Sequence, residues 1–336
     1  MRRRLAGARR GIFVDVMHLK IFMIILMAAH EWPAAGAAAG QKPFTNAQSH
    51  RLTSTHAALD HYLEHLTDSL QAEIGVAFRD LETGQEYFFN EKSMMHAAST
   101  MKVPVMIEVF RQAEAGKFRL EDSVFVRNQF ASIVDGSPYS LDLGEDSDEA
   151  IYKVIGQKMS VHDLVYQMIT VSSNLATNLL IELVDAKKVM ATLQQLGIHD
   201  MQVLRGVEDG KAYQLGRNNR TNALDLMLSL QAIAEQRAAS PAACQAMIAI
   251  LKDQKFRDSI PAGLPEGFIA ANKTGSITAI NHDAAIILHP NRKPIVLAIL
   301  TRKITNHEQA RATIAGLTRH LFATLVAPES AAAPAK

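Results

Sequence analysis

Three short polar motifs lie far apart in this 336-residue chain, and together their side chains could perform nucleophilic acyl transfer. The first motif is a serine followed three residues later by a lysine, Ser99 and Lys102. This spacing puts both side chains on one face of a helix, one turn apart, so that the amine can take or relay the hydroxyl proton. The other two motifs are Ser172-Ser173-Asn174 and Lys273-Thr274-Gly275. Ser99 is therefore the candidate nucleophile.

Each motif by itself has a simpler structural interpretation. The serine of the first motif could be a helix N-cap, and its lysine a solvated side chain. Ser172 and Asn174 fall at a junction between two helical patterns and could cap those helices. Lys273 could be an exposed lysine beside a strand bulge at Gly275, although a strand glycine also lets a ligand approach the backbone closely. Only the ordered set of three motifs favours an active site.

The β patterns predict a sheet assembled from both ends of the chain. An amphipathic helix with leucines at 59, 63, 66 and 70 precedes the first strand, and a helix with apolar residues at 314, 317, 321 and 325 follows the last. The strand-like runs cover residues 74–78, 87–89, 268–277, 282–288 and 295–301. We therefore predict an α/β fold of the α+β type, with a mainly antiparallel five-stranded sheet flanked by helices.

The chain between these two groups of strands has an almost wholly helical pattern. This pattern predicts an all-helical domain at 99–260, inserted into a discontinuous sheet domain formed by 40–98 and 261–326. Residues 41–54 are polar and lack periodicity, so we expect an N-terminal arm before the first helix. The tail 327–336 contains proline and small residues, and we expect it to be disordered.

The first 39 residues have the composition of an export signal. Five arginines among the first ten residues precede an apolar run at 21–29, and a tract of small residues follows. We expect cleavage near Ala37 or Ala39 and a periplasmic or extracellular protein. The apolar run is too short to span a bilayer, which disfavours a retained membrane anchor. A twin-arginine signal at Arg9 and Arg10, and translation starting at Met17, remain alternatives.

The composition suits a globular enzyme. The formal net charge is +1 and no basic run follows residue 10, so we expect no nucleic-acid partner. Cys244 is the single cysteine, which excludes an intramolecular disulfide. His61, Glu64 and His65 match a zinc-peptidase pattern, but they lie opposite the leucine face of their helix, and we predict neither metal nor cofactor. The lack of a long heptad pattern favours a monomer.

Taken together, the three motifs resemble those of serine β-lactamases and penicillin-binding D,D-peptidases, and specifically those of class A β-lactamases. Ser172 follows Ser99 by 73 residues, and Lys273 follows Ser172 by 101 residues. These separations are similar to that family's, with the first enlarged by an insertion around residues 132–156. The resemblance extends over nearly the whole chain after the export signal and implies a β-lactamase/transpeptidase-like fold.

The resemblance implies a role for each polar residue. Ser99 would be acylated by the carbonyl carbon of a β-lactam, Lys102 would act in proton transfer, and Ser172 would pass a proton to the departing nitrogen. The backbone N–H groups of Ser99 and Ser276 would form the oxyanion hole. The residues implied in substrate binding are Asn174, Lys273, Thr274 and Ser276.

Deacylation in class A enzymes uses a glutamate, on a loop between the second and third motifs, that activates water. Glu208 lies 36 residues after the second motif begins, close to that family's distance. The loop departs from the family pattern because Ala212 replaces an asparagine that helps to hold the water, and Ser173 replaces the usual aspartate of the second motif. Glu208 is therefore either the general base or a structural carboxylate paired with Arg205 or Lys211.

These expectations describe an exported serine hydrolase that forms a Ser99 acyl-enzyme and hydrolyses the amide bond of β-lactam antibiotics. The first alternative is a D,D-carboxypeptidase-like or other serine hydrolase that acts on peptidoglycan-type or small amide or ester substrates. The unusual loop around Glu208 favours this alternative. The second alternative is a module that captures a small-molecule ligand covalently with little turnover.

Overall fold

The computed structural model describes the backbone of residues 46–326 and the side chains of residues 55–326. The predicted export signal and the tail 327–336 lie outside this range. The helices are α1 (Asn46–Leu70), α2 (Lys102–Glu114), α3 (Glu149–Tyr152), α4 (Val161–Thr170), α5 (Asn174–Val184), α6 (Ala186–Gln195), α7 (Gly210–Gln214), α8 (Ala223–Ala234), α9 (Pro241–Lys252), α10 (Ile260–Gly263) and α11 (His307–Leu325).

The strands are β1 (Glu73–Asp80), β2 (Glu86–Phe89), β3 (Met95–His96), β4 (Ser123–Phe125), β5 (Phe130–Ala131), β6 (Pro138–Tyr139), β7 (Lys158–Ser160), β8 (Arg220–Thr221), β9 (Ile269–Ile277), β10 (Ile280–His289) and β11 (Arg292–Arg302). Short 3-10 helices cover Ala98–Met101 and Leu143–Glu145.

Both ends of the chain build one antiparallel sheet, in the order β2-β1-β11-β10-β9. The first and last strands of the chain pair directly, so that Val76 lies opposite Ile299. The five predicted strand runs correspond to the five strands of this sheet, and the predicted mixed fold is confirmed. Strand β9, which contains the third motif, lies at one edge.

Apolar side chains cover both faces of the sheet because successive strand residues point to opposite faces. On one face, Val76 and Phe78 pack in a core shared with α1 and α11. On the other face, Ala77 and Ala298 join the core of the central helices. Small residues on this second face let the helices approach closely, and each large side chain buried in either core contributes roughly 1.5–3 kcal/mol.

Helix α2 lies at the centre of the helical region and is buried around nearly its whole circumference. Such a helix must be mostly apolar, and five of the seven residues from Val103 to Val109 are valine, methionine or isoleucine. The buried carboxylate of Glu108 accepts hydrogen bonds from Gln112 and Thr192. Because its neighbours pack tightly around it, α2 is a rigid support for the first motif at its N-terminal end.

The region between the two groups of strands is not helical throughout. Three short two-stranded ladders occur there or at its edges, pairing β3 with β8, β4 with β7 and β5 with β6. The segment 132–156 is rich in glycine, serine and aspartate, which compete with helix formation and favour turns. Residues of the sheet and of the central helices pack in one hydrophobic core. The predicted division into a helical domain and a sheet domain therefore stays a prediction.

The first helix begins at Asn46, earlier than the polar arm 41–54 predicts. No glycine or proline occurs between Asn46 and Leu70, so nothing in the local sequence stops the helix from extending towards the N-terminus. None of the helices in the described range has both the length and the apolar character that a membrane crossing requires.

Candidate active site

The first motif lies where a 3-10 turn leads into helix α2. Ser99 belongs to the turn Ala98–Met101, and the backbone N–H of Lys102 donates to the carbonyl oxygens of Ser99 and Thr100. The two side chains are therefore one helical turn apart, as predicted. Ala98 has a φ of 45°, in the left-handed region that costs energy for any residue with a side chain. This turn presents the half-buried Ser99 to a cleft.

Lys102 is fully buried, and its ammonium group points at the second motif. Its Nζ donates to Ser172 O at 2.6 Å, Ser172 Oγ at 3.2 Å and Asn174 Oδ1 at 2.9 Å. The Ser99 hydroxyl is not among these three acceptors. Burial lowers the pKa of Lys102 to about 7, and the negative charges of Asp146 and Glu208 oppose that shift only in part. A neutral amine is therefore available near neutral pH.

Lys273, also fully buried, approaches the same serine from strand β9. Its Nζ donates to Ser172 Oγ at 3.0 Å and to Thr274 O at 2.8 Å. Burial and the nearby charge of Lys102 lower the pKa of Lys273 well below its ordinary value. Since the Ser172 oxygen accepts from both lysines, its own hydrogen is available to a third group. Burial of two lysines beside one hydroxyl is costly for stability, and such costly arrangements are typical of functional sites.

The junction between α4 and α5 leaves Ser172 and Asn174 free for this arrangement. The sequence suggested that one of them caps a helix, but the N-cap of α5 is Ser173, whose Oγ accepts from Ala176 N at 3.2 Å. Asp146 adds a second cap, because its carboxylate accepts from the backbone N–H groups of Asn174 and Leu175. Ser173 thus has a clear structural role.

The third motif packs directly against the 3-10 turn Ala98–Met101, called here the nucleophile turn. A Cβ atom on Gly275 would lie 3.0 Å from both Ser99 N and Thr100 N, which is closer than side-chain carbons ordinarily approach backbone atoms. Glycine is therefore required for this contact between β9 and the turn. Thr274 and Ser276, on either side of Gly275, line the same cleft as Ser99.

Glu208 lies behind the second motif, in a loop where its φ is 60°. Its Oε1 accepts from Asn174 Nδ2 at 2.9 Å, and its Oε2 accepts from the backbone N–H of Asp142 at 2.9 Å. Asn174 therefore bridges Lys102 and Glu208. Burial raises the pKa of Glu208, while the hydrogen bonds from Asp142 and Asn174 favour the ionised form.

The suggested pairing of Glu208 with Arg205 or Lys211 is wrong. The Arg205 guanidinium donates to Gly206 O and Arg217 O and to the side chain of Asn218. Lys211 instead pairs with Asp135 at 2.8 Å. Arg205 thus binds groups of its own loop, Lys211 binds the exposed hairpin residue Asp135, and neither neutralises the Glu208 carboxylate.

A cleft of about 280 Å³ is lined by five of the predicted site residues, Ser99, Ser172, Asn174, Thr274 and Ser276. Lys102, Lys273 and Glu208 are not among its lining residues and reach it only through Ser172 and Asn174. Sequence reasoning missed a salt bridge on its wall, between Arg311 of α11 and Asp258, with 2.8 Å between nitrogen and oxygen. It also missed Asp142 and Asp146. No motif indicates these residues, and the only signal in the sequence is the density of acidic residues in 142–149.

Neither the histidines of the zinc-peptidase pattern nor any other group supplies a metal site in the part of the chain that the structure describes. No cluster there brings together three or more histidine, cysteine, aspartate or glutamate side chains that could hold a metal ion. His61 and His65 are exposed on α1. Cys244 is buried and has a free thiol.

Comparison with known proteins identifies the class to which this fold belongs. The model of the β-lactamase enzyme family matches residues 58–325. β-Lactamase CARB-3 of Pseudomonas aeruginosa is 26% identical over 238 residues, which are 66% of this chain and 76% of that protein. β-Lactamase ROB-1 of Haemophilus influenzae is 24% identical, over 75% of this chain and 79% of that protein.

Solved structures agree with the sequence relatives. A β-lactamase from Sphaerobacter thermophilus has a TM-score of 0.67 and 28% identity, and the match covers 83% of this chain and 98% of that one. PBP-A, at 22% identity, shares the fold with a TM-score of 0.66, over 79% of this chain and 95% of that one. The fold is thus that of the serine β-lactamase-like hydrolases. This chain belongs to the β-lactamase enzyme family.

Proposed function

We propose that this protein is a class A-like serine β-lactamase, which hydrolyses the amide bond of β-lactam antibiotics through an acyl-enzyme on Ser99. The observation that carries the proposal is the approach of both Lys102 and Lys273 to Ser172 Oγ, at 3.2 and 3.0 Å, beside the cleft that contains Ser99. This arrangement supplies a proton acceptor, a proton donor and positive charge around one reacting carbonyl group.

Acylation begins when neutral Lys102 takes the proton of the Ser99 hydroxyl. The Ser99 hydroxyl is not among the hydrogen-bond partners of Lys102 in the free enzyme, and such catalytic contacts commonly tighten when substrate binds. The Ser99 oxygen then bonds to the lactam carbonyl carbon, and the bond between that carbon and the ring nitrogen breaks. Ser172 donates its proton to the departing nitrogen and regains one from Lys102, to which it is already hydrogen-bonded.

We assign the contacts with the substrate to polar groups of the second and third motifs. Lys273 and Thr274 meet the substrate carboxylate, and Asn174 holds the side-chain amide. The backbone N–H groups of Ser99 and Ser276 stabilise the oxyanion, and the loss of one such donor costs about 10²- to 10³-fold in rate. Close packing of Gly275 against the Ser99 turn supports this assignment, since it fixes the distance between the two donors.

Deacylation requires a base that activates water, and we assign this role to Glu208. Its carboxylate is linked through the Asn174 amide to Lys102, with 2.9 Å for each of the two hydrogen bonds. Glu208 takes one proton from water, the hydroxide bonds to the ester carbon, and the bond between that carbon and the Ser99 oxygen breaks. The proton held by Glu208 then returns to the Ser99 oxygen, which regenerates the free enzyme. Burial raises the pKa of Glu208, and the Asn174 and Asp142 donors oppose that shift by favouring the ionised form that this step needs.

Intact mass against time, after mixing with penicillin or a chromogenic cephalosporin, tests this mechanism. We expect a transient adduct in the wild type and a persistent adduct in Glu208→Gln. Ser99→Ala, shown to be folded by circular dichroism, should form no adduct.

Covalent labelling of folded Ser99→Ala would overturn the nucleophile assignment. A long-lived adduct in both the wild type and Glu208→Gln would instead identify a penicillin-binding hydrolase with a D,D-carboxypeptidase-like substrate. The absence of any adduct in the wild type would overturn the proposed activity.

We also propose that the protein is exported and acts as a monomer in the periplasm or outside the cell. The support is the basic, apolar and small-residue order of residues 1–39. N-terminal sequencing of the mature protein should find a start near residue 38 or 40, and size-exclusion chromatography with light scattering should give the mass of one chain. A mature chain that retains the apolar run would refute export by cleavage.

A further inference from the structure

A bridging segment, residues 130–148, connects the second motif with the loop that contains Glu208. The segment consists of the β5–β6 hairpin and the turn that precedes α3. Near its end, Asp146 caps α5 and Ser147 Oγ donates to Val171 O at 2.6 Å. The segment is therefore anchored on the same junction that positions Ser172 and Asn174.

The hairpin end of the bridging segment is attached to Asp209, the residue directly after Glu208. The Asp209 carboxylate accepts from Ser132 Oγ and from the backbone N–H of Ile133, both at 2.9 Å. It also accepts from Ala212 N at 3.1 Å and so caps α7. Asp209 is 1% exposed and Ser132 is 5% exposed, so water cannot readily replace these contacts.

Two further hydrogen bonds hold the loop to the same segment. The Tyr139 hydroxyl donates to Val207 O at 3.3 Å, and the Asp142 backbone N–H donates to Glu208 Oε2 at 2.9 Å. The segment therefore contacts three successive residues of the loop, Val207, Glu208 and Asp209. Since Glu208 has a left-handed backbone, its conformation needs support from neighbouring contacts on both sides.

We propose that Asp209 is a positioning residue for Glu208, which acts by fixing the loop to the bridging segment. This inference rests on the proposed function, because it concerns the residue that positions the proposed deacylation base. The carboxylate of Asp209 fixes the register between hairpin and loop, and this register places the Asp142 N–H against Glu208. Without the Asp209 carboxylate, Glu208 loses the hydrogen bond from the Asp142 N–H, and its side chain moves relative to the acyl group. Acylation does not use Glu208 and is spared.

Separate rates of acylation and deacylation test this inference on the full-length mature enzyme. We expect Asp209→Asn to slow the decay of the penicillin adduct by about 10- to 100-fold, the usual cost of misplacing a catalytic group by about 1 Å. Its acylation rate should stay within about threefold of the wild type. The acid limb of its deacylation profile should move to higher pH, since the Asp142 donor favours ionised Glu208.

Two further variants control this experiment. Ser132→Ala removes one donor to Asp209 and should give a smaller change in the same step, so it tests the inference even if Asp209→Asn does not fold. Asp135→Asn removes the exposed ion pair with Lys211, in which the side chains are 49% and 53% exposed. This matched change at the hairpin tip should leave both rates unaltered.

The possible failures are distinguishable from one another. An Asp209→Asn enzyme and a Ser132→Ala enzyme that both deacylate like the wild type, while Glu208→Gln stalls, would overturn the positioning role and leave the proposed function intact. Equal decreases in the acylation and deacylation rates, without a shift of the pH profile, would show that Asp209 has only a structural role and would overturn the positioning role. If the wild type forms no adduct, the proposed function itself fails.

Discussion

Replacement of Gly275 by alanine tests whether strand β9 and the nucleophile turn act as one rigid unit. The new Cβ would lie 3.0 Å from Ser99 N and from Thr100 N, and 3.1 Å from Thr100 Cγ2. Two of these atoms belong to the backbone and cannot rotate away, so the turn or the strand must shift by a few tenths of an ångström. Gly275 does not have a positive φ, so the perturbation is steric and not conformational.

We expect Gly275→Ala to lower the acylation rate by about 10- to 100-fold, because the Ser99 hydroxyl and the N–H groups of Ser99 and Ser276 lose their relative positions. Stopped-flow measurement with a chromogenic cephalosporin gives this rate. Gly316→Ala is the matched control, since a Cβ there meets nothing within 4 Å and Gly316 lies inside α11. It should stabilise the helix by about 1 kcal/mol and leave catalysis unchanged. Acylation by Gly275→Ala at the wild-type rate would refute the reasoning.

Three other measurements address the remaining parts of the site and fold. The acylation rate should rise with pH through about 7, because only the neutral Lys102 amine accepts a proton, and a rate independent of pH between 5 and 9 would contradict this role. Arg311→Ala should raise the KM for anionic β-lactams by about two- to fivefold, as for a partly exposed charge, and should leave kcat unchanged in steady-state assays. Gly263→Ala places a Cβ 2.2 Å from Ala315 O and should destabilise the fold by about 1–3 kcal/mol, measured by thermal unfolding; an unchanged Tm would show that α10 and α11 separate easily.

The sheet and its flanking helices could be predicted because their apolar residues repeat with the period of the element. The apolar run 295–301 predicts a strand, and it forms β11, whose residues 295–301 are buried on both faces of the sheet. The ladders in the central region escaped prediction because each strand is only two or three residues long. Two or three residues contain no measurable periodicity, and such ladders depend on partners that are distant in sequence.

The candidate site likewise has features that the local sequence predicts and features that depend on the fold. The serine–lysine spacing of Ser99 and Lys102 is local, so one helical turn decides it. The capping role of Ser173, by contrast, depends on where α5 begins. The contact from Asp142 to Glu208 spans 66 residues and is made by a backbone N–H, which has no signature in the sequence. Backbone donors are present at almost every residue, and only the fold selects which one faces a carboxylate.

The sequence by itself determined the five strands of the main sheet, the helices at its two ends and the identity of the polar groups, since these follow from residue type and local spacing. Only the tertiary structure decided that Lys102 and Lys273 meet at one hydroxyl, that glycine is needed at position 275, and that Asp209 ties its loop to the bridging segment. These features depend on distances of about 3 Å between residues that are far apart in the chain. Such distances are set by the packing of the sheet against the central helices, which no local pattern specifies.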